Sequence, residues 1–361
     1  MNIVVVGAGT VGVMSVLHFL YYSKHKITCI HSSTKDILGI GESSNVQLPD
    51  LLWKSIQLNP YNEKDLELSF KYGVKYQNWR EKDFFSPIIP NEYAIHFDNF
   101  RLAKVCFEKC KKIYKERFEE KDIVVNDIDS LKKDYDFIID CRGYPDDYSD
   151  YYMSELPLNH CLVKAIPEKG SFDFTYHYAH RNGWMFGIPL KTRQGWGYLF
   201  NDRLTSIDDA VENISEIFKE KTEYSNLREF KFKPYRCKTF LKDNILKNGN
   251  RAIFYEPLEA LSGVFYDKIN RTSFDYLCGN RSEDQVNVEI NQAALQYERF
   301  IAFVYHGGSI YNSAFWQDAV KRCKNIIGDY DFSKNLKHKD VWPFQYPAWK
   351  ILNDGLEYKY I

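Results

Sequence analysis

The chain opens on an apolar run, Ile3-Val4-Val5-Val6, that passes directly into Gly7-Ala8-Gly9-Thr10-Val11-Gly12 and then into the apolar stretch 13–22. A buried strand feeding a Gly-x-Gly-x-x-Gly turn and a helix is the pattern of a dinucleotide-binding βαβ unit. Gly7 permits the tight turn, Gly9 lets the backbone approach a pyrophosphate, and Gly12 lets helix and strand pack closely. The helix start, at Thr10 and Val11, offers N–H groups and the positive end of its dipole to phosphates. The plainer alternative is a structural glycine-rich turn. Placement between a β-branched run and a helix favours the nucleotide reading. Lys26-Ile27-Thr28-Cys29-Ile30 reads as the second strand of the unit, where such folds commonly end on an Asp or Glu for the ribose hydroxyls; His31 and Ser32 stand there instead.

At 361 residues the chain is one large domain with a subdomain, or two domains. A net charge of −1 with no basic block gives no pointer to a nucleic-acid partner. No apolar run is long enough to span a membrane, and a strand starting at Asn2 leaves no room for a signal peptide, so the expected location is cytoplasmic. The eight cysteines show no paired metal spacing. Cys106 and Cys110 lie one helical turn apart, but no second pair completes a zinc set, so reduced structural thiols and no metal are expected.

Further along, residues 38–44 form a glycine-rich loop beside small hydroxyl residues. Residues 66–79 read as a helix entering a strand, and 97–114 as a helix with Asp98 near its start. Residues 136–143 read as a short buried strand ending in a glycine turn and returning to the nucleotide sheet. Residues 162–165, 183–190 and 197–200 read as a second, mixed sheet. A helix over 210–220, a strand over 250–254 and helices over 286–306 and 313–327 follow.

Together these segments resemble the flavin-dependent tryptophan-halogenase family, in family order along nearly the whole chain. Gly7, Gly9 and Gly12 match its FAD loop. Gly39-Ile40-Gly41-Glu42-Ser43 resembles its Gly-x-Gly-Glu-Ala/Ser loop over the flavin. Ser69-Phe70-Lys71-Tyr72-Gly73-Val74 with Asn78-Trp79 resembles the segment carrying the family's essential lysine. Asp140-Cys141-Arg142-Gly143 resembles its Asp-Cys-Ser-Gly strand end, with Arg142 for Ser. Gly183-Trp184-Met185-Phe186-Gly187-Ile188-Pro189-Leu190 resembles its Trp-x-Trp-x-Ile-Pro motif, with Phe186 for the second Trp. Phe254-Tyr255-Glu256-Pro257-Leu258-Glu259-Ala260 resembles its Glu-Pro-Leu-Glu stretch, and Phe315-Trp316 a Phe-Trp pair in its late helices. Two departures stand out. Ala260-Leu261-Ser262-Gly263 replaces the Ser-Thr-Gly run of tryptophan-acting members, and the chain is shorter than those members in the C-terminal helical part, so a more open substrate pocket is expected and free tryptophan is not implied.

The resemblance implies an α/β chain: a Rossmann-like FAD-binding domain of the flavin monooxygenase/halogenase type, with a mixed-sheet insertion and a helical C-terminal substrate region. The expected parts are 1–162 (FAD-binding, with the Lys71 segment), 163–234 (mixed-sheet insertion), 235–280 (return to the FAD-binding part) and 281–361 (helical, substrate-capping). The resemblance also implies FAD supplied reduced by a separate flavin reductase, a halide ion (chloride or bromide), and a possible homodimer. Hypohalous acid would pass to Lys71, which would hold it by hydrogen bond or as a haloamine for an electron-rich, indole-like ring. Cofactor contacts are implied for Gly7, Gly9, Thr10, Val11, Gly12, Gly39, Gly41, Glu42, Ser43, Asp140, Pro257, Leu261 and Ser262. Trp184, Phe186, Ile188, Pro189, Phe315 and Trp316 would line the substrate or its tunnel. The alternative is an FAD-dependent monooxygenase or oxidase of the same fold without halide chemistry.

Each singled-out residue also has a plainer role. Lys71 by type alone is a surface lysine, with Lys75 its competitor for catalysis. Glu259 either stabilises the cationic ring and takes its proton or is a helix-start acid, and Glu256 is a substitute for it. Trp184 and Phe186, two apart on a strand, face one side and either wall flavin from substrate or fill a core. Asp140 reaches the flavin or binds local backbone N–H groups. His177, His180 and His306 are structural or substrate-lining, the structural case being the heavier.

Overall fold

The computed structural model describes residues 1–35, 42–88, 91–336 and 341–360. By packing they fall into two units. One comprises Met1–Leu68, Ala94–Tyr152 and Tyr235–Ala294; the other comprises Ser69–Tyr93, Met153–Pro234 and Leu295–Ile361.

The first unit is built on a six-stranded sheet in the order Leu241–Lys242, Ile245–Lys247, Phe137–Asp140, Asn2–Val6, Lys26–His31, Phe118–Asp122. All neighbours are parallel except the Leu241–Lys242 hairpin edge. Strands covered on both faces read as continuous apolar runs, which is why Ile3 to Val6 do not alternate with polar residues. Val4 and Val6 join Ile30 and Ile138 under Val125, Ile128, Leu131 and Tyr135. On the other face lies the helix Thr10–Tyr22, which is buried from Gly12 to Leu20. From the first strand the chain moves to Lys26–His31 on one side, and Phe137–Asp140 lies on the other. That reversal is a topological switch point, and in such sheets ligands bind beyond the carboxyl ends of the strands there. The Gly7 turn sits at that end. The helix Asn99–Tyr114 starts as expected, with the Asp98 carboxylate accepting the Phe100 N–H at 2.8 Å.

The second unit holds a seven-stranded mixed sheet in the order Arg228–Lys231, His160–Ile166, Gln194–Phe200, Gly183–Pro189, Thr175–His180, Gly73–Gln77, Phe84–Pro87. Only the Thr175–His180 and Gly73–Gln77 pair is parallel. The helix Ile207–Phe218 lies on one face, packing Ala210 and Ile214 against Leu162, Met185, Tyr198 and Phe200.

Two expectations are corrected. Residues 66–79 contain no helix; they form the strands Ser69–Lys71 and Gly73–Gln77 on either side of Tyr72. A Cβ at Gly73 would lie 2.4 Å from the Phe85 ring, so only glycine admits the neighbouring edge strand there. Lys71 and Lys75 are therefore not one helical turn apart. Residues 250–254 form a 3₁₀ turn, Gly249–Arg251, before a two-residue strand, Ile253–Phe254. The late helices run Glu283–Tyr305 and Ala314–Ile327, the second capped by Ser313.

Candidate functional site

The nucleotide loop belongs to the first unit. Gly7 has φ +114°, a value few side chains adopt, and a Cβ on it would lie 2.5 Å from the Cys141 carbonyl oxygen. A Cβ on Gly12 would lie 1.8 Å from the Gly7 carbonyl oxygen, so helix and turn are in direct backbone contact. Gly9 differs from both: a Cβ there would meet nothing within 4 Å. The protein's own packing does not require glycine at that position, whereas an approaching ligand backbone or phosphate would. Gly9 is also the N-cap of the helix Thr10–Tyr22 and supplies no side-chain cap, and the first turn carries no acid. Its N–H groups are thus left to an anion. Thr10 turns its hydroxyl to Asn99 Oδ1 at 2.9 Å, and Val11 packs on Gly249. These features fit the diphosphate of FAD.

Around this loop the structure brings in further residues. Gly39 and Gly41 lie outside the described residues. Glu42 is buried and its carboxylate accepts the Asn99 N–H at 3.4 Å, while Ser43 bridges His96. Asp140, closing the Phe137–Asp140 strand, is held by Arg142 through two hydrogen bonds of 2.9 Å and approached by Arg251 at 3.6 Å. Arg142 is the residue that departs from the family pattern, and its guanidinium takes up the carboxylate. At the end of the second strand, His31 Nε2 bonds Glu120 Oε1 at 2.8 Å, so a carboxylate does stand at this strand end, contributed by the Phe118–Asp122 strand. Lys111 and His31 hold the Glu120 carboxyl below its ordinary range against the opposing effect of its partial burial, which is the largest single influence on it.

Sequence reasoning did not anticipate the backbone at Glu259 and Ala260. Both are left-handed, with φ 57° and 54°, within the turn Leu258–Ala260 that leads into the helix Leu261–Leu277. Consecutive left-handed non-glycine residues are costly and occur where surrounding structure enforces them, commonly at ligand sites. Leu261 is buried, and a Cβ on Gly263 would lie 2.8 Å from Asn45 Nδ2, so this turn is packed tightly. No residue type in Glu-Ala signals such a conformation.

The second unit holds Lys71. It is 3 % exposed on the strand Ser69–Lys71. The segment is pinned at both ends: Ser69 Oγ donates to the Pro189 carbonyl at 2.5 Å, and the Tyr72 N–H donates to the Asp173 carbonyl at 2.8 Å. Trp184 and Phe186 share one face of the Gly183–Pro189 strand, with ring centroids 6.5 Å apart, and both are buried. Phe186 lies over Gly197 on the paired strand, 2.1 Å from where a Cβ would be; Trp196 does the same over Gly187 on the opposite face. Trp79 and Tyr305 contact Trp184, and Trp316 packs on both of them. Trp79 Nε1 donates to the His177 carbonyl at 3.0 Å, and Trp316 Nε1 donates to the His180 carbonyl at 2.8 Å. Trp79 lies 5.3 Å from Trp316 and 5.7 Å from Tyr305. Phe315, Ile188 and Pro189 are buried beside their neighbours in sequence. Among the described residues, no group of three His, Cys, Asp or Glu could hold a metal, and no helix is long and apolar enough to cross a membrane.

The switch-point sheet with its glycine turn and open helix N-terminus defines a Rossmann-like, FAD-binding α/β fold. The chain belongs to the tryptophan halogenase family, whose model matches residues 2–128 and 92–327. Among curated relatives, tryptophan 7-halogenase RebH of Lentzea aerocolonigenes is 26% identical over 145 residues, 37% of this chain and 27% of that protein. Tryptophan 6-halogenase ThaL of Streptomyces albogriseolus is 26% identical over 146 residues, 36% of this chain and 27% of that protein. The matched stretches thus span about a quarter of those relatives. Among solved structures, BrvH, a flavin-dependent halogenase from Brevundimonas sp. BAL3, superposes with a TM-score of 0.80 at 16% identity, covering 99% of this chain and 89% of BrvH. Xcc4156, a flavin-dependent halogenase from Xanthomonas campestris, gives 0.81 at 17% identity, covering 98% and 88%. At such identities these likenesses establish the fold.

Proposed function

We propose that this chain is an FAD-dependent halogenase that transfers halogen through Lys71 to an electron-rich aromatic ring such as an indole. The observation that carries the reading is a lysine almost wholly removed from water, on a strand pinned beside an aromatic wall. Lysine is rarely buried without a task, and a desolvated amine is the more readily a nucleophile. Bound FAD, reduced by a separate flavin reductase, supplies the electrophilic halogen from oxygen and chloride or bromide as hypohalous acid. The chain's own residues do the rest. Gly7, Gly9 and Gly12 admit the diphosphate, and the start of the Thr10–Tyr22 helix binds it. Lys71 holds the halogen by hydrogen bond or as a haloamine. Trp184 and Phe186 exclude water and shape the path, and Glu259, or Glu256, stabilises the cationic ring or takes its proton.

Ala260-Leu261, in place of the family's Ser-Thr, supports a second reading as a monooxygenase or oxidase without halide chemistry. The deciding assay combines the protein with FAD, a flavin reductase, NADH, oxygen, bromide or chloride, and a panel of indoles and phenols. Halogen isotope patterns in product masses are expected. Products carrying oxygen and never halogen would establish the second reading.

A further inference from the structure

Dinucleotide folds commonly end their second strand on a carboxylate, about 20 residues past the glycine turn, that holds the ribose of the nucleotide. This chain places His31 there, as the last residue of Lys26–His31. The position is tied directly to the turn: the Gly7 N–H donates to the carbonyl of Ile30, the residue before it, at 2.7 Å. Ser32, the other polar residue at this strand end, is taken up locally. Its hydroxyl bonds the Thr34 hydroxyl at 2.7 Å and accepts the Thr34 N–H at 3.3 Å. Asp122, paired with His31 in the ladder, is occupied as well, its Oδ1 accepting the Ser33 N–H at 2.9 Å.

The acid that the second strand lacks comes from the next one. His31 Nε2 bonds Glu120 Oε1 at 2.8 Å, and Lys111 Nζ, from the Asn99–Tyr114 helix, bonds Glu120 Oε2 at 2.7 Å. Partial burial pushes the Glu120 carboxyl up, but Lys111 and His31 together outweigh it and hold the group below its ordinary range. An ionised carboxylate only accepts, so Nε2 carries the hydrogen of this bond, and the neutral ring keeps a lone pair on Nδ1. Nδ1 has no hydrogen-bond partner among the described residues. The His31 side chain is 22 % exposed, so a ligand can reach it while its far edge is fixed.

We propose that His31 recognises the ribose in this chain: Nδ1 accepts a hydrogen bond from a hydroxyl of the adenosine ribose of FAD, and Glu120, from the neighbouring strand, sets the tautomer and the ring orientation in which it does so. The inference rests on the FAD part of the proposed function and is independent of halogen transfer. Glu120 acts through His31 and is a positioning residue. An ionised carboxylate offers about four lone-pair sites and can serve two hydroxyls, whereas the imidazole offers one, in a fixed direction. Recognition therefore narrows to a single hydroxyl. The charges of Glu120 and Lys111 stay behind the ring, and the diphosphate is left to the start of the Thr10–Tyr22 helix.

The test needs no halide, oxygen or turnover. Flavin-free protein is titrated calorimetrically with FAD, and ADP, 2′-deoxy-ADP and 3′-deoxy-ADP are measured as competitors. In the wild type one of the two deoxy nucleotides should bind about 3- to 10-fold more weakly than ADP, the net effect of one neutral hydrogen bond. In His31→Phe the affinity for FAD should fall by a similar factor with the melting temperature held, and ADP and that deoxy nucleotide should bind alike. Glu120→Gln, whose amide can present either end to Nε2, should keep part of the discrimination. A wild type that binds both deoxy nucleotides as tightly as ADP overturns the proposal. So does a His31→Phe protein that still discriminates, or one whose affinity for FAD is unchanged. A wild type that does not bind FAD at all overturns the FAD reading together with this one, whereas FAD binding without discrimination overturns this one alone.

Discussion

Trp184 donates its indole Nε1–H to the Tyr305 hydroxyl at 2.7 Å, and both side chains are fully buried. The bond fixes the rotation of one member of the aromatic wall against the end of the Glu283–Tyr305 helix. Tyr305→Phe leaves the indole N–H buried without its acceptor, at a cost of about 1–3 kcal/mol. A thermal melt should register a fall of several degrees. Trp184→Phe removes the donor, so the double variant should lose less than the sum of the two single losses. Strict additivity would mean the bond contributes nothing.

Lys71 is expected to carry the chemistry. In Lys71→Met, which keeps length and apolar bulk, halogenated product should fall by at least about 100-fold. FAD binding, followed by the flavin absorbance shift, should not change. Undiminished product in this variant removes Lys71 from the mechanism.

Gly9 and Gly12 separate ligand fit from folding. Gly12→Ala drives a Cβ into the Gly7 carbonyl and should destabilise by about 3 kcal/mol or more. Gly9→Ala meets open space at an ordinary φ of −67°, so the melting temperature of the flavin-free protein should stay within a degree or two. Its affinity for FAD should nevertheless drop by about tenfold, which is about 1.4 kcal/mol. Isothermal titration beside a melt reads both. Equal FAD affinity would show that the diphosphate does not approach Gly9.

The first strand, its glycine turn and the following helix were legible in the sequence because each is written locally: a β-branched run, a fixed glycine spacing, an apolar helix. The mixed sheet was legible at Gly183–Pro189 and Gln194–Phe200 for the same reason. The Lys71 segment was not. Phe70, Val74 and Trp79 are spaced like a helix face, yet the chain breaks at Tyr72 into two short strands whose burial, at Lys71, Gly73, Val74 and Tyr76, follows no simple period. Their identity comes from long-range pairing with Thr175–His180. The left-handed Glu259 and Ala260 were equally invisible, since tertiary packing imposes what residue type disfavours. His177 could be named from sequence as structural or substrate-lining, but its unbonded ring nitrogen among the described residues exists only in the fold.

Phe186 occupies the room that Gly197 leaves. Phe186→Trp, which restores the family residue, should be tolerated within a few degrees of melting temperature, because the larger ring still passes over a glycine. Gly197→Ala places a Cβ 2.1 Å from the Phe186 ring and should cost about 1–3 kcal/mol. If the wall shapes the acceptor path, Phe186→Trp should also shift the product ratio across an indole panel. A destabilised Phe186→Trp with an unaffected Gly197→Ala would reverse this account of the strand pair.

Acid sensitivity should trace in part to His18. It is buried on the Thr10–Tyr22 helix, edge-on to Phe19 at 5.3 Å and close to Tyr22 at 4.7 Å, and neither ring nitrogen has a partner among the described residues. Burial, with a smaller push from Arg271, lowers its pKa from 6.5 to about 3. In the unfolded chain the ring titrates near its ordinary value, so below pH 6.5 unfolding takes up a proton that the native state refuses. Stability is therefore whole above that pH and declines as pH falls toward 3, by up to about 1.4 kcal/mol per unit from this one group. His180, lowered to about 3 by its own burial, adds a separate share. His18→Phe keeps the aromatic packing and deletes the proton site. Its melting temperature should match the wild type near pH 7.5 and exceed it by several degrees at pH 4.5. Parallel curves across that range would show that the His18 ring titrates alike in the native and unfolded states.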